Sequence, residues 1–121
     1  MYNLTENIKE LAFMAVKAAE DKKGYDIQLL DLQGITVIAD YFVICSGQSA
    51  RQVEAIARGI EEKLGEIDVF PQRTAGKDHA RWILLDYGDF VVHIFHQDER
   101  EYYELERLWA DAQEILTKKG K

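Results

Sequence analysis

Apolar residues at Ile8, Leu11, Ala12, Ala15, Ala18 and Ala19 recur every three or four positions, which puts them on one face of a helix over residues 4–23. Gly24 is the expected stop for that helix. The period then shortens. YDIQLLDL (residues 25–32) has mixed faces and predicts a strand, and Gly34 starts a connection. YFVIC (41–45) is apolar on both faces, as an interior strand would be. Helical spacing returns over 49–64, where Val53, Ile56, Ala57, Ile60 and Leu64 form a stripe.

Residues 68–80 hold the single proline, Pro71, together with Gly76 and several polar side chains. The segment predicts a short edge strand over 68–72 and a loop after it. RWILLD (81–86) and FVVHIFH (90–96) are two strong strand signals, with Tyr87-Gly88 between them as a hairpin turn. A last helix is expected over 98–116, followed by a frayed basic tail over 118–121. The order α-β-β-α-(β)-β-β-α implies an α/β or α+β fold, with a mixed sheet of about five strands and helices packed on it. At 121 residues the chain fits a single domain spanning 1–121.

A two-residue turn at Tyr87-Gly88 would pair Asp86 with Asp89, Leu84 with Val91 and Trp82 with His93. One face of that hairpin, carrying Ile83, Leu85, Phe90, Val92 and Ile94, is wholly apolar and predicts core. The other mixes Trp82, Leu84, Val91 and Phe95 with His93 and two aspartates. That pattern fits either a second, smaller core or a recognition face on which tryptophan is the anchor.

The stretch DYFVICSGQSARQVEAI raises the question of catalysis, because a glycine flanked by serines precedes a helix. Ser49 and Gln52 make the S-x-x-Q of a capping box, and Gly47 suits the sharp bend. A nucleophile elbow, a Walker loop and a dinucleotide-binding loop each need glycines that are missing here. Nucleotidyltransferases follow such a Gly-Ser turn with paired carboxylates on a strand, and no such pair follows Ser49. A nucleotide-binding or nucleotidyltransferase-like enzyme using the turn from Ser46 to Ser49 is the alternative reading. Cys45, the single cysteine, ends an apolar strand with no neighbouring cation, as a buried inert thiol does. His93 and His96 should point to opposite faces of one strand and so cannot share a metal there, and His79 falls in a loop. No metal or cofactor is expected.

The net charge of −7 argues against a phosphate-binding surface and suits a basic protein partner. With no basic-then-apolar leader and no apolar run of ~20 residues, the expectation is a cytoplasmic protein that binds neither membrane nor specific nucleic-acid sequences.

Three ordered segments carry a family resemblance: ADYFVICSGQSARQVEAIA, RWILLDYGDFVVHIF, and the spaced Arg100, Tyr103, Leu105, Glu106, Leu108 and Trp109. Together they resemble the ribosomal silencing factor family, RsfS or Iojap-like, over residues 4–111. One departure is Ala75-Gly76, where the family often has Glu-Gly. The resemblance implies a nucleotidyltransferase-like topology without catalytic residues, and a non-enzymatic translational repressor. It also implies binding to the large ribosomal subunit through ribosomal protein uL14, occlusion of the small subunit, lower translation under nutrient limitation, and a homodimer when free. On that reading Trp82 anchors the interface with Leu84 beside it and His93 on the same face. Asp86 and Asp89 would meet Arg or Lys of the partner, with Tyr41 and Arg51 near the same rim. A dimerisation adaptor without a ribosomal role is a third possibility.

Overall fold

A computed structural model describes residues 4–103 and 113–118. The described elements are α1 (Leu4–Asp21), β1 (Tyr25–Asp31), β2 (Tyr41–Gly47), α2 (Ala50–Gly65), β3 (Arg73–Ala75), β4 (Trp82–Asp86), β5 (Phe90–His96), α3 (Gln97–Tyr103) and β6 (Gln113–Lys118). The strands form one sheet in the order β3-β4-β5-β2-β1-β6. Among the described strands, only the β2–β5 pair is parallel. This is the expected α+β class with a mixed sheet.

β2 and β5 lie in the interior of the sheet, and both their faces are buried, which is why their sequences are apolar without alternation. On one face α1 and α2 cover the main core, with Ala12, Ala15, Ile56 and Ile60 set against Val43, Ile83, Leu85, Val92 and Ile94. The α2 stripe read from the sequence is buried residue for residue. A second cluster occupies the opposite face: Leu30, Leu32, Ala39, Phe42, Ile44, Val91 and Phe95, with Trp82 and Leu84 partly buried against it.

The end of α1 and the start of α2 are each capped locally and then tied to one another. α1 stops in a Schellman motif, in which the Gly24 amide donates to the Ala19 carbonyl (2.9 Å) and the Lys23 amide to the Glu20 carbonyl (2.9 Å). The left-handed residue of that motif is Lys23, at φ 65°, and Gly24 follows it. Ser49 caps α2 by accepting the Gln52 amide at 3.1 Å. The return bond differs from the expected box: Gln52 Oε1 accepts from the amide of Gln48 (2.6 Å), while its Nε2 donates to the Lys23 carbonyl (2.9 Å). One side chain thus ties the start of α2 to the end of α1.

Three expectations need correction. The edge strand lies at Arg73–Ala75, beyond Pro71, since proline cannot donate to a ladder. The hairpin register runs two residues further than expected, with Asp86 opposite Val91, Leu84 opposite His93 and Trp82 opposite Phe95. Its turn is centred on Gly88 and Asp89: the Tyr87 amide donates to the Phe90 carbonyl (3.0 Å), and Gly88 takes φ 90°. A slip of two leaves every side chain on its predicted face, because strand faces alternate with period two. Finally, α3 ends its described span at Tyr103, and Gln113–Lys118 is a strand paired antiparallel with β1. Pairing with β1 competes with helix formation there and wins, and it takes Lys118 out of the expected tail. The rest of the expected last helix, residues 104–112, lies outside the described residues, as do residues 119–121 of the tail.

Candidate functional site

Strand β4 decides what this protein can offer on its second face. Alternation sends Ile83 and Leu85 into the main core and leaves Trp82, Leu84 and Asp86 on the other side, each half-buried. The Trp82 ring stacks on Phe95 with centroids 4.8 Å apart, and its Nε1–H donates to His93 Nδ1 at 3.1 Å. His93 itself is 5% exposed and meets Phe42 edge-on, with centroids 4.6 Å apart. Burial pushes its imidazole well below the usual value, to about 4, and nearby Asp86 only partly opposes that. His93 is therefore neutral at pH 7 and supports Trp82 from beneath. At 5% exposure it offers little surface of its own.

Asp86 was expected to reach a basic partner. Instead its Oδ2 takes a hydrogen bond from Arg73 Nη2 (2.9 Å), and its Oδ1 takes one from the Gly88 amide (2.8 Å). Burial acts to raise its carboxyl pKa, but Arg73 and the Gly88 amide together outweigh burial and hold it below the usual range. The charge is already neutralised within the chain. Asp89, at the turn, is exposed. Gly76 approaches the backbone of Trp82 so closely that a Cβ there would run into the Trp82 carbonyl oxygen, and its φ is +83°. The 76–80 loop is thereby fitted against the start of β4.

Two other expected rim residues lie elsewhere. Tyr41 is 2% exposed in the main core on the helix-covered face, where burial raises its phenol pKa. Its neighbour Phe42 is the one that joins Trp82's face. Arg51 is exposed in the first turn of α2, a helix packed on the opposite side of the sheet. The structure thus brings together Trp82, Leu84 and His93 and keeps Asp86 and Asp89 at the far end of β4. The Tyr41 amide donates to the Asp89 carbonyl (3.3 Å), but the Tyr41 side chain and Arg51 lie on the opposite side of the sheet. Trp82 and Asp86 are four residues apart on the strand, roughly 13 Å.

At the bend after β2 the polar groups have structural partners. Ser46 Oγ accepts from Arg100 Nη1 (2.9 Å), which also donates to the Asp26 carbonyl (2.6 Å), while Arg100 Nη2 reaches Gln28 Oε1 (3.3 Å). Arg100 thereby fastens α3 across the ends of β1 and β2. Sequence reasoning missed it because the pairing spans 54 residues in one case and 72 or more in the others. Cys45 is fully buried, with its thiol pushed up to about 12 by burial. His93 and His96 lie on opposite faces of β5, as alternation expects. Among the described residues no group of three His, Cys, Asp or Glu side chains is placed to hold a metal, and no helix is long and apolar enough to cross a membrane.

Fold and face define a small α+β domain whose sheet is helix-covered on one side and carries a tryptophan-marked strip on the other. The chain belongs to the RsfS family: the family model described as "Ribosomal silencing factor during starvation" matches residues 5–121. It is 50% identical over 106 residues to the ribosomal silencing factor RsfS of Bacillus subtilis (strain 168), which covers 88% of this chain and 90% of that protein. It is 32% identical over 104 residues to the chloroplastic protein Iojap of Zea mays, covering 86% of this chain and 45% of that longer one. A crystal structure of a Chromobacterium violaceum protein superposes with a TM-score of 0.83 at 36% identity, covering 93% of each chain.

Proposed function

We propose that this protein is a cytoplasmic, non-enzymatic translational repressor that binds the large ribosomal subunit and silences it. The finer reading is that it docks on ribosomal protein uL14, blocks joining of the small subunit when nutrients are scarce, and forms a homodimer when free. The observation that carries the reading is the half-buried Trp82–Leu84 strip, standing on a strand whose other face is core. Membership of a family named for ribosomal silencing supports the partner. An aromatic anchor held in one orientation beside an aliphatic neighbour is what an interface hot spot requires. The net charge of −7 favours approach to a basic ribosomal protein. Trp82→Ala is expected to keep the fold and weaken large-subunit binding by about 2 kcal/mol or more, roughly 30-fold. The test is co-sedimentation with separated subunits, coupled to a subunit-joining assay. Unchanged co-sedimentation of Trp82→Ala would refute the assigned face.

A further inference from the structure

The connection between β1 and β2 carries three exposed aliphatic side chains within four residues. Ile35 is 42% exposed, Ile38 64% and Val37 103%, as open as a side chain in a free peptide. Folding gains nothing from Val37 in this position and little from Ile38. The backbone nevertheless holds them in a defined shape. The Leu32 amide donates to the Asp40 carbonyl (2.8 Å) and pinches the loop shut at its base. The Ile35 and Thr36 amides both donate to the Leu32 carbonyl (3.0 and 3.2 Å), and the Ile38 amide donates to Thr36 Oγ1 (3.2 Å). Leu32 and Ala39 are buried in the second cluster and anchor the two ends. The apolar side chains thus form a ridge that is already ordered, so a partner would spend little entropy fixing it.

Among the described residues, the loop and the adjoining hairpin turn carry acidic charge, of which only Asp86 is paired with a cation here. Residues 31–40 and 86–90 contain four aspartates (Asp31, Asp40, Asp86 and Asp89) and no lysine, arginine or histidine. The Asp40 amide donates to the Asp89 carbonyl (2.8 Å), so the hairpin turn abuts the base of the loop. Arg73 answers Asp86. An apolar ridge rimmed by carboxylates repels an anionic lipid surface or a nucleic-acid backbone. A second copy meeting it ridge to ridge would set like charges against each other.

We infer that the Ile35–Val37–Ile38 ridge is a docking surface for a basic protein, one that presents an apolar hollow edged by lysine or arginine. The inference rests on the proposed large-subunit reading and extends it: the ridge is a second contact, at the end of the sheet away from Trp82. With the hairpin between them, ridge and Trp82 strip form two footholds on one partner.

The test compares Val37→Ser/Ile38→Ser with Trp82→Ala in co-sedimentation with purified large ribosomal subunits, alongside melting curves and sedimentation equilibrium of the free protein. The ridge variant is expected to melt like the parent, because its side chains are exposed, and to bind at least about tenfold more weakly. Asp89→Asn is expected to slow association and flatten its salt dependence. If the ridge variant binds normally while Trp82→Ala does not, the ridge inference is overturned and the Trp82 reading stands. If both bind normally, both fall. If the ridge variant alters only self-association, the occupant is a second copy and the inference is likewise overturned.

Discussion

Trp82 and His93 are joined by a hydrogen bond from the indole Nε1–H to imidazole Nδ1, 3.1 Å long, across a diagonal of the β4–β5 hairpin. With Nδ1 accepting, the neutral ring carries its proton on Nε2, and that atom is buried without a hydrogen-bond partner among the described residues. A phenylalanine would keep an aromatic ring in this cluster, yet it could not orient the indole. The expected role of His93 is to position Trp82. His93→Phe should fold with stability within about 1 kcal/mol of the parent, because it also removes an unpaired buried donor. Large-subunit binding should fall roughly two- to tenfold as the indole gains rotamers. His93→Asn, which keeps an acceptor near Nδ1, should recover part of the loss. In a Trp82→Phe background, where there is no indole N–H, His93→Phe should cost nothing more in binding. An equal loss in both backgrounds would show that the bond does not matter.

The same histidine predicts a pH dependence. Its folded pKa, about 4, lies below the ordinary 6.5, so between these values the unfolded chain binds the extra proton. Stability from this group is fully present above about pH 6.5 and is lost as pH falls toward 4. The difference amounts to about 3 kcal/mol, at 1.36 kcal/mol per pH unit. Urea unfolding at a series of pH values should show that decline in the parent and a flatter curve in His93→Phe. Parallel curves for the two proteins would contradict it.

Lys23 pays a conformational cost at the end of α1, where it holds the left-handed position that glycine usually takes. Lys23→Gly relieves the Cβ clash while loosening the unfolded chain. A net gain of about 0.5–1 kcal/mol is expected, or a melting temperature roughly 2–4 °C higher. The Gln52 bond to residue 23 uses the backbone carbonyl and survives the change. A lower melting temperature would mean that the lysine side chain contributes something the backbone account omits.

Much of this architecture is legible in the chain itself. The stripe Val53, Ile56, Ala57, Ile60 and Leu64 is buried, Ser49 caps its helix, and β2 and β5 are apolar on both faces because they lie inside the sheet. The face assignment of the hairpin was right even with the register wrong by two, since periodicity fixes parity and not alignment. These features depend on neighbours within a few residues, and that is the range over which a sequence pattern speaks.

Tertiary structure decided the rest. Gln113–Lys118 becomes a strand because β1 has an edge to pair with, and Tyr41 goes to the core while Phe42 joins Trp82 because β2 is flanked by β1 and β5 in a particular register. Asp86 looked like a free carboxylate until Arg73 arrived from the adjacent strand, and Ser46 looked like a candidate hydroxyl until Arg100 reached it from α3. In each case the deciding partner lies on another element, ten or more residues away along the chain, with Asp31 to Tyr41 the shortest separation. A local hydrophobic period can set which face a residue shows, but only closure of the fold determines which group it finds there.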